Sequence, residues 1–145
     1  MFDAINLTET TPYILVVDDN PDNTTLLQMI LEEEGYRVAI ASSGQEALQQ
    51  MKLELPSLVL LDVMMPEMDG FEVIRRIRRT SRFRGVPIVL ITAYDDPFME
   101  HGWRLGADDF IHKPIEPDAL IDRIKLCCPQ ANQQANQTKL QSSWR

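Results

Sequence analysis

Little in this 145-residue chain could cross-link it. Its two cysteines, Cys127 and Cys128, are sequence neighbours and cannot build a loop-closing disulfide framework. Long apolar runs are also missing: stretches such as residues 86–91 fall far short of the roughly 20 residues that span a bilayer. The first ten residues, MFDAINLTET, hold no basic residue and no apolar core, so no secretory signal is expected. Positive charge is scarce. Lys and Arg number 14 against 22 Asp and Glu, a formal net charge of −8, and such a field repels a phosphate backbone. What remains is an ordinary globular balance, 44% hydrophobic and 25% charged, at a length that suits one domain. The expectation is a soluble cytoplasmic protein that binds neither membrane nor nucleic acid directly.

Residues 129–145 carry Lys139 and Arg145, no acid, and mostly Gln, Asn and Ser, so a disordered polar tail is expected there. Residues 1–11 read as a flexible leader, which leaves 12–128 as the folded unit. Three runs within it are apolar without alternation: Ile14-Leu15-Val16-Val17, Leu58-Val59-Leu60-Leu61 and Ile88-Val89-Leu90-Ile91. Strands covered on both faces read this way, as central strands of a parallel sheet do. Residues 37–41 are weaker and suit an edge strand, and Phe110-Ile111 marks a fifth, peripheral one.

Helix signals fill the intervals. Asn20-Pro21 is a cap followed by proline, with Leu26, Leu27, Ile30 and Leu31 as one apolar face before Gly35. Ser43 with Glu46, and Asp69 with Glu72, have the spacing of N-terminal caps. Ala47, Leu48 and Met51 face inward on the second helix, and Val73, Ile74 and Ile77 on the third. Asp96-Pro97 opens a fourth helix that stops at Gly106, and Glu116-Pro117 opens a fifth that runs to about Cys127. Strands alternating with helices in this way predict a doubly wound α/β fold. Its sheet is five-stranded and parallel, order 2-1-3-4-5, flavodoxin-like.

The residues at the strand ends carry the chemistry. Asp18-Asp19 ends the first strand, Asp62 the third, Thr92 the fourth, and Lys113-Pro114 the fifth. In an open α/β sheet these ends line one edge, where ligands bind. Three carboxylates brought together raise one another's pKa unless a cation neutralises them, and hard oxygen ligands suit Mg²⁺. A metal and a lysine beside one carboxylate can stabilise charge during phosphoryl transfer to it. The plainer role for any one strand-end Asp or Thr is a cap or turn former. All of them together on one edge favour the site.

The stretches Ile14 to Asn20, Leu61 to Gly70, Ile91-Thr92-Ala93 and Gly106 to Pro114 resemble the receiver domain of bacterial two-component response regulators, the family of the chemotaxis regulator. The resemblance covers about residues 12–128. It implies that Asp62 accepts a phosphoryl group from a histidine kinase or phosphotransfer protein. Asp19, Asp62 and the backbone carbonyl of Met64 would bind Mg²⁺ directly, and Asp18 through water. Lys113 would pair with Asp62 and then with the phosphoryl group, across a cis bond to Pro114. Thr92 would be the switch hydroxyl, and Phe110 would stand where the switch aromatic stands. Met64 and Tyr94 fall two residues after Asp62 and Thr92, where bulk shields the phosphoryl group from water.

The same resemblance makes the fourth helix, fifth strand and fifth helix an output face for a downstream protein or a second copy, with Trp103 as an anchor. Trp103 is otherwise read as core. The chain is expected to be a stand-alone regulator and not an enzyme beyond its own phosphorylation and dephosphorylation. The alternative is a fragment of a transcriptional regulator or hybrid kinase. From other classes, a flavodoxin-like small-molecule binder and an aspartyl-phosphate phosphatase remain open. Arg75, Arg76, Arg78, Arg79, Arg82 and Arg84 could form a nucleic-acid patch, but in an acidic body a solvated face balancing acids such as Glu72 fits better. Gly70 and Gly106 read as backbone-geometry residues. His101 and His112 lack metal-ligand spacing, and Cys127 and Cys128 read as structural.

Overall fold

A computed structural model describes residues 12–93 and 97–128. The leader, the tail, Tyr94 and Asp96 fall outside the described residues. The chain order is β1 (Tyr13–Val17), α1 (Pro21–Glu33), β2 (Arg37–Ala41), α2 (Gly44–Leu53), β3 (Leu58–Asp62), α3 (Gly70–Arg79), β4 (Ile88–Ala93), α4 (Met99–Leu105), β5 (Asp109–Lys113) and α5 (Pro117–Cys127). The strands form one parallel sheet in the order β2-β1-β3-β4-β5. That is the doubly wound topology expected from the sequence.

The unbroken apolar runs have a direct cause. Alternate residues of each central strand enter opposite cores. Leu15, Val17, Val59, Leu61, Ile88 and Leu90 face α2, α3 and α4. Ile14, Val16, Leu58, Leu60, Val89 and Ile91 face α1 and α5. Both faces are covered, so no polar residue is tolerated until the strands end. β2 lies at an edge and is only partly buried.

The caps form as their residue types require. The side chains of Asn20, Ser43 and Asp69 accept from the backbone N–H of Asp22, Glu46 and Glu72, satisfying donors that a helix start leaves open. Two expectations are corrected. Leu26 is 48% exposed, because Leu27 and Leu31, one turn apart, already take the sheet-facing stripe of α1. α4 begins at Met99, after an N-cap at Phe98 that makes no side-chain cap bond; the Phe98 ring stands edge-on to Phe71. At its other end α4 closes on Gly106 at φ 112°, a conformation that a side chain disfavours.

Candidate functional site

The carboxyl ends of β1, β3, β4 and β5 meet at one rim. Oxygen atoms of Asp18, Asp19 and Asp62 lie within 4.8 Å of one another. Asp18 and Asp62 are buried and Asp19 is exposed, so the group has a sunken floor and an open mouth. Asp62 sits at the end of a strand paired on both sides, which fixes its backbone. Gly70 brings the start of α3 against it: a Cβ there would stand 2.7 Å from the Asp62 carbonyl oxygen.

The Lys113 ammonium lies 3.1 Å from Asp62 Oδ1, its side chain 39% exposed. Asp62's pKa is raised above 3.8, first by burial and then by the Asp18 charge; Lys113 and the backbone N–H of Met64 oppose the rise. One ammonium does not offset three clustered acids, and the remaining negative charge favours a hard cation. This donor set fits Mg²⁺. Thr92 is 3% exposed at the end of β4 and lies level with His112 on β5. The Lys113–Pro114 bond is cis, as expected.

The rim thus gathers an acid cluster, a lysine and a threonine at the ends of four parallel strands. Residues 14–125 match the response regulator receiver domain family. The chain belongs to that family. It is a receiver domain of the two-component response regulators. The 14.6 kDa protein in the sodA1 3′ region of Leptolyngbya boryana is 42% identical over 116 residues, 79% of this chain and 88% of that one. The alkaline phosphatase synthesis transcriptional regulatory protein PhoP of Bacillus subtilis is 45% identical over 113 residues, 77% of this chain. The receiver spans only 46% of that regulator and 50% of a second transcriptional regulator. The receiver domain of the sensor histidine kinase PA1611 of Pseudomonas aeruginosa superposes with a TM-score of 0.75 at 29% identity. That match covers 81% of this chain and 98% of that one, and that structure holds magnesium in its active-site cleft. Receiver domains are signalling domains that interact with histidine kinases.

Every strand-end residue singled out from the sequence reaches the rim. Met64 stands there with its side chain 77% exposed; Tyr94 is outside the described residues. Phe110 is buried, with Trp103 edge-on to it at 4.7 Å between ring centroids. Trp103 itself is 47% exposed, half core and half surface. His101 is exposed and edge-on to Phe71, and Cys128 is buried with its Sγ 3.1 Å from the Ser57 carbonyl. No helix among the described residues is long and apolar enough to cross a membrane.

The arginine cluster divides. Arg75 and Arg76 pair with Glu72, as a balanced solvated face requires. Arg78 does something else. Its guanidinium donates to the carbonyls of Gly106, Arg84 and Val86 and to Asp108, with its side chain only 19% exposed. Nothing in the local sequence distinguishes it from its neighbours. A second contact missed from the sequence is at the rim, where Asn23 Nδ2 donates to Asp18 Oδ2 at 3.1 Å.

Proposed function

We propose that this receiver is switched by Mg²⁺-dependent phosphorylation of Asp62. The observation that carries the reading is a buried carboxylate with a raised pKa, placed between two further acids and a lysine. An Asp62 oxygen attacks the phosphorus of a phosphohistidine on a partner kinase or phosphotransfer protein. The P–N bond breaks, and its electron pair stays on the imidazole nitrogen. Asp18, Asp19 and Asp62, whose oxygens cluster within 4.8 Å, and the Met64 carbonyl would hold Mg²⁺, which would supply neutralisation of charge on the transferring group. Lys113 leaves Asp62 for a phosphoryl oxygen, and the Thr92 hydroxyl donates to another. Phe110 fills the space that Thr92 gives up, biasing the output face toward one of two arrangements.

The output is a protein contact through α4, β5 and α5, where half-exposed Trp103 and the Arg104–Glu100 and Arg123–Asp109 ion pairs present an anchor within a charged rim. A downstream protein or a second copy of the receiver is the partner. The domain works in the cytoplasm as a regulator and has no substrate turnover of its own. Met64 and Tyr94 offer no carboxylate or amide to orient an attacking water, so the phosphoryl group is long-lived. The test is incubation with acetyl phosphate and Mg²⁺ followed by intact-mass measurement. Wild type gains one phosphoryl group and Asp62→Asn gains none; equal labelling of the two would place the acceptor elsewhere.

A further inference from the structure

We infer that Asn23 is a positioning residue for the metal site, acting through Asp18. This rests on the Mg²⁺ reading above. Asp18 is 2% exposed, and donors of this chain address both of its oxygens. The backbone N–H of Asn20 reaches Oδ1 at 3.0 Å, and the Asn23 amide reaches Oδ2 at 3.1 Å. Both donors belong to the cap and first turn of α1, so the carboxylate is pinned at two points to one rigid element. Rotation of Asp18 about either side-chain bond would break at least one of them.

The chemistry of the donor matters as much as its place. Asn23 supplies an N–H without a charge. A lysine or arginine there would neutralise Asp18 and compete with a cation, and an aspartate would offer no donor and add a fourth acid to a crowded rim. An uncharged amide orients Asp18 and leaves its negative charge for the metal. Groups that orient a metal's direct ligands commonly govern affinity by about ten- to a hundredfold; Asp18 acts through water, so the effect of Asn23 lies at the low end. Asn23 is half-buried and lines the cavity that also holds Asp18 and Lys113, so its loss opens no hole in either core.

The test is Mg²⁺ titration of the full chain by calorimetry, with the amide shifts of residues 18–20 followed by NMR. Four proteins are compared: wild type, Asn23→Ala, Asn23→Gln and Asp19→Asn. Asn23→Ala should remain folded and bind Mg²⁺ more weakly, by up to about tenfold. Asn23→Gln, which keeps an amide donor on a longer arm, should recover most of the affinity. Wild-type affinity in Asn23→Ala, or equal weakening in the Ala and Gln variants, would overturn the role of Asn23 alone. A wild type that binds no better than Asp19→Asn would overturn the metal reading itself, and this inference with it.

Discussion

The two ends of the sheet are built on opposite principles. At the amino ends of β4 and β5, one arginine satisfies a crowd of acceptors. Arg78 ties α3 to the turn after α4 and to the loop before β4, and Asp108 also accepts the backbone N–H of Ile88 at 2.8 Å. At the carboxyl ends, three acids cluster, and among the described residues one ammonium, that of Lys113, pairs with one of them, Asp62. The first end lowers the energy of the fold; the second raises it, because clustered carboxylates repel one another. The contrast separates a scaffold from a switch within one sheet, since a rim already at its minimum would gain nothing from a cation or a phosphoryl group.

The largest effect is expected at the stable end. Arg78→Ala removes the donor to three carbonyls, while Asp108 keeps the Ile88 N–H, and should cost about 2–3 kcal/mol in urea unfolding. Phosphoryl acceptance by the protein that remains folded should be intact. A loss below about 0.5 kcal/mol, the scale of an ordinary surface substitution, would show that water replaces the guanidinium.

A smaller effect is expected at the switch end. Lys113→Ala leaves Asp62 buried without its counter-ion, but the lysine is part-exposed and screened. The cost should be about 1–2 kcal/mol without metal, less than for a fully buried pair. Mg²⁺ should bind this variant more tightly than wild type, because a competing cation is gone; weaker binding would make the lysine a partner of the metal site and not a competitor.

The smallest effect sharpens the contrast through pH. Asp62 has a folded pKa above its unfolded value near 3.8, so the native state holds this proton more tightly than the unfolded chain. The destabilisation from its charge is complete above the folded pKa and vanishes below about 3.8. The stability difference between Asp62→Asn and wild type, measured without metal, should therefore favour the variant at neutral pH and shrink toward pH 3.8. A difference that grows on acidification would reverse the sign of the argument.

Legibility in the sequence tracked the range of the interactions. Central strands, the caps at Asn20, Ser43 and Asp69 and the four strand-end motifs depend on neighbours within a turn or on burial of a whole run, and they stand where the sequence places them. Arg78 was not legible, because its partners Gly106 and Asp108 lie 28 and 30 residues away. Neither was the outward turn of Leu26, a choice between adjacent leucines that only the packed sheet makes. The Asn23 contact spans five residues and could have been suspected, since a first-turn amide on the helix after Asp18 can reach back to it. Nothing in the residue type required that it do so.

If the acidic rim is strained and a cation relieves it, the strain should show in the melting temperature. Thermal unfolding of wild type and Asp62→Asn, each with and without Mg²⁺ at neutral pH, tests it in one experiment. Without metal, Asp62→Asn should melt higher, by the few degrees that correspond to about 1 kcal/mol in a domain of this size. With Mg²⁺ at about a hundred times its dissociation constant, wild type should gain about 2.7 kcal/mol and overtake the variant. Wild type melting above Asp62→Asn in the absence of metal, with Mg²⁺ changing neither, would contradict the account.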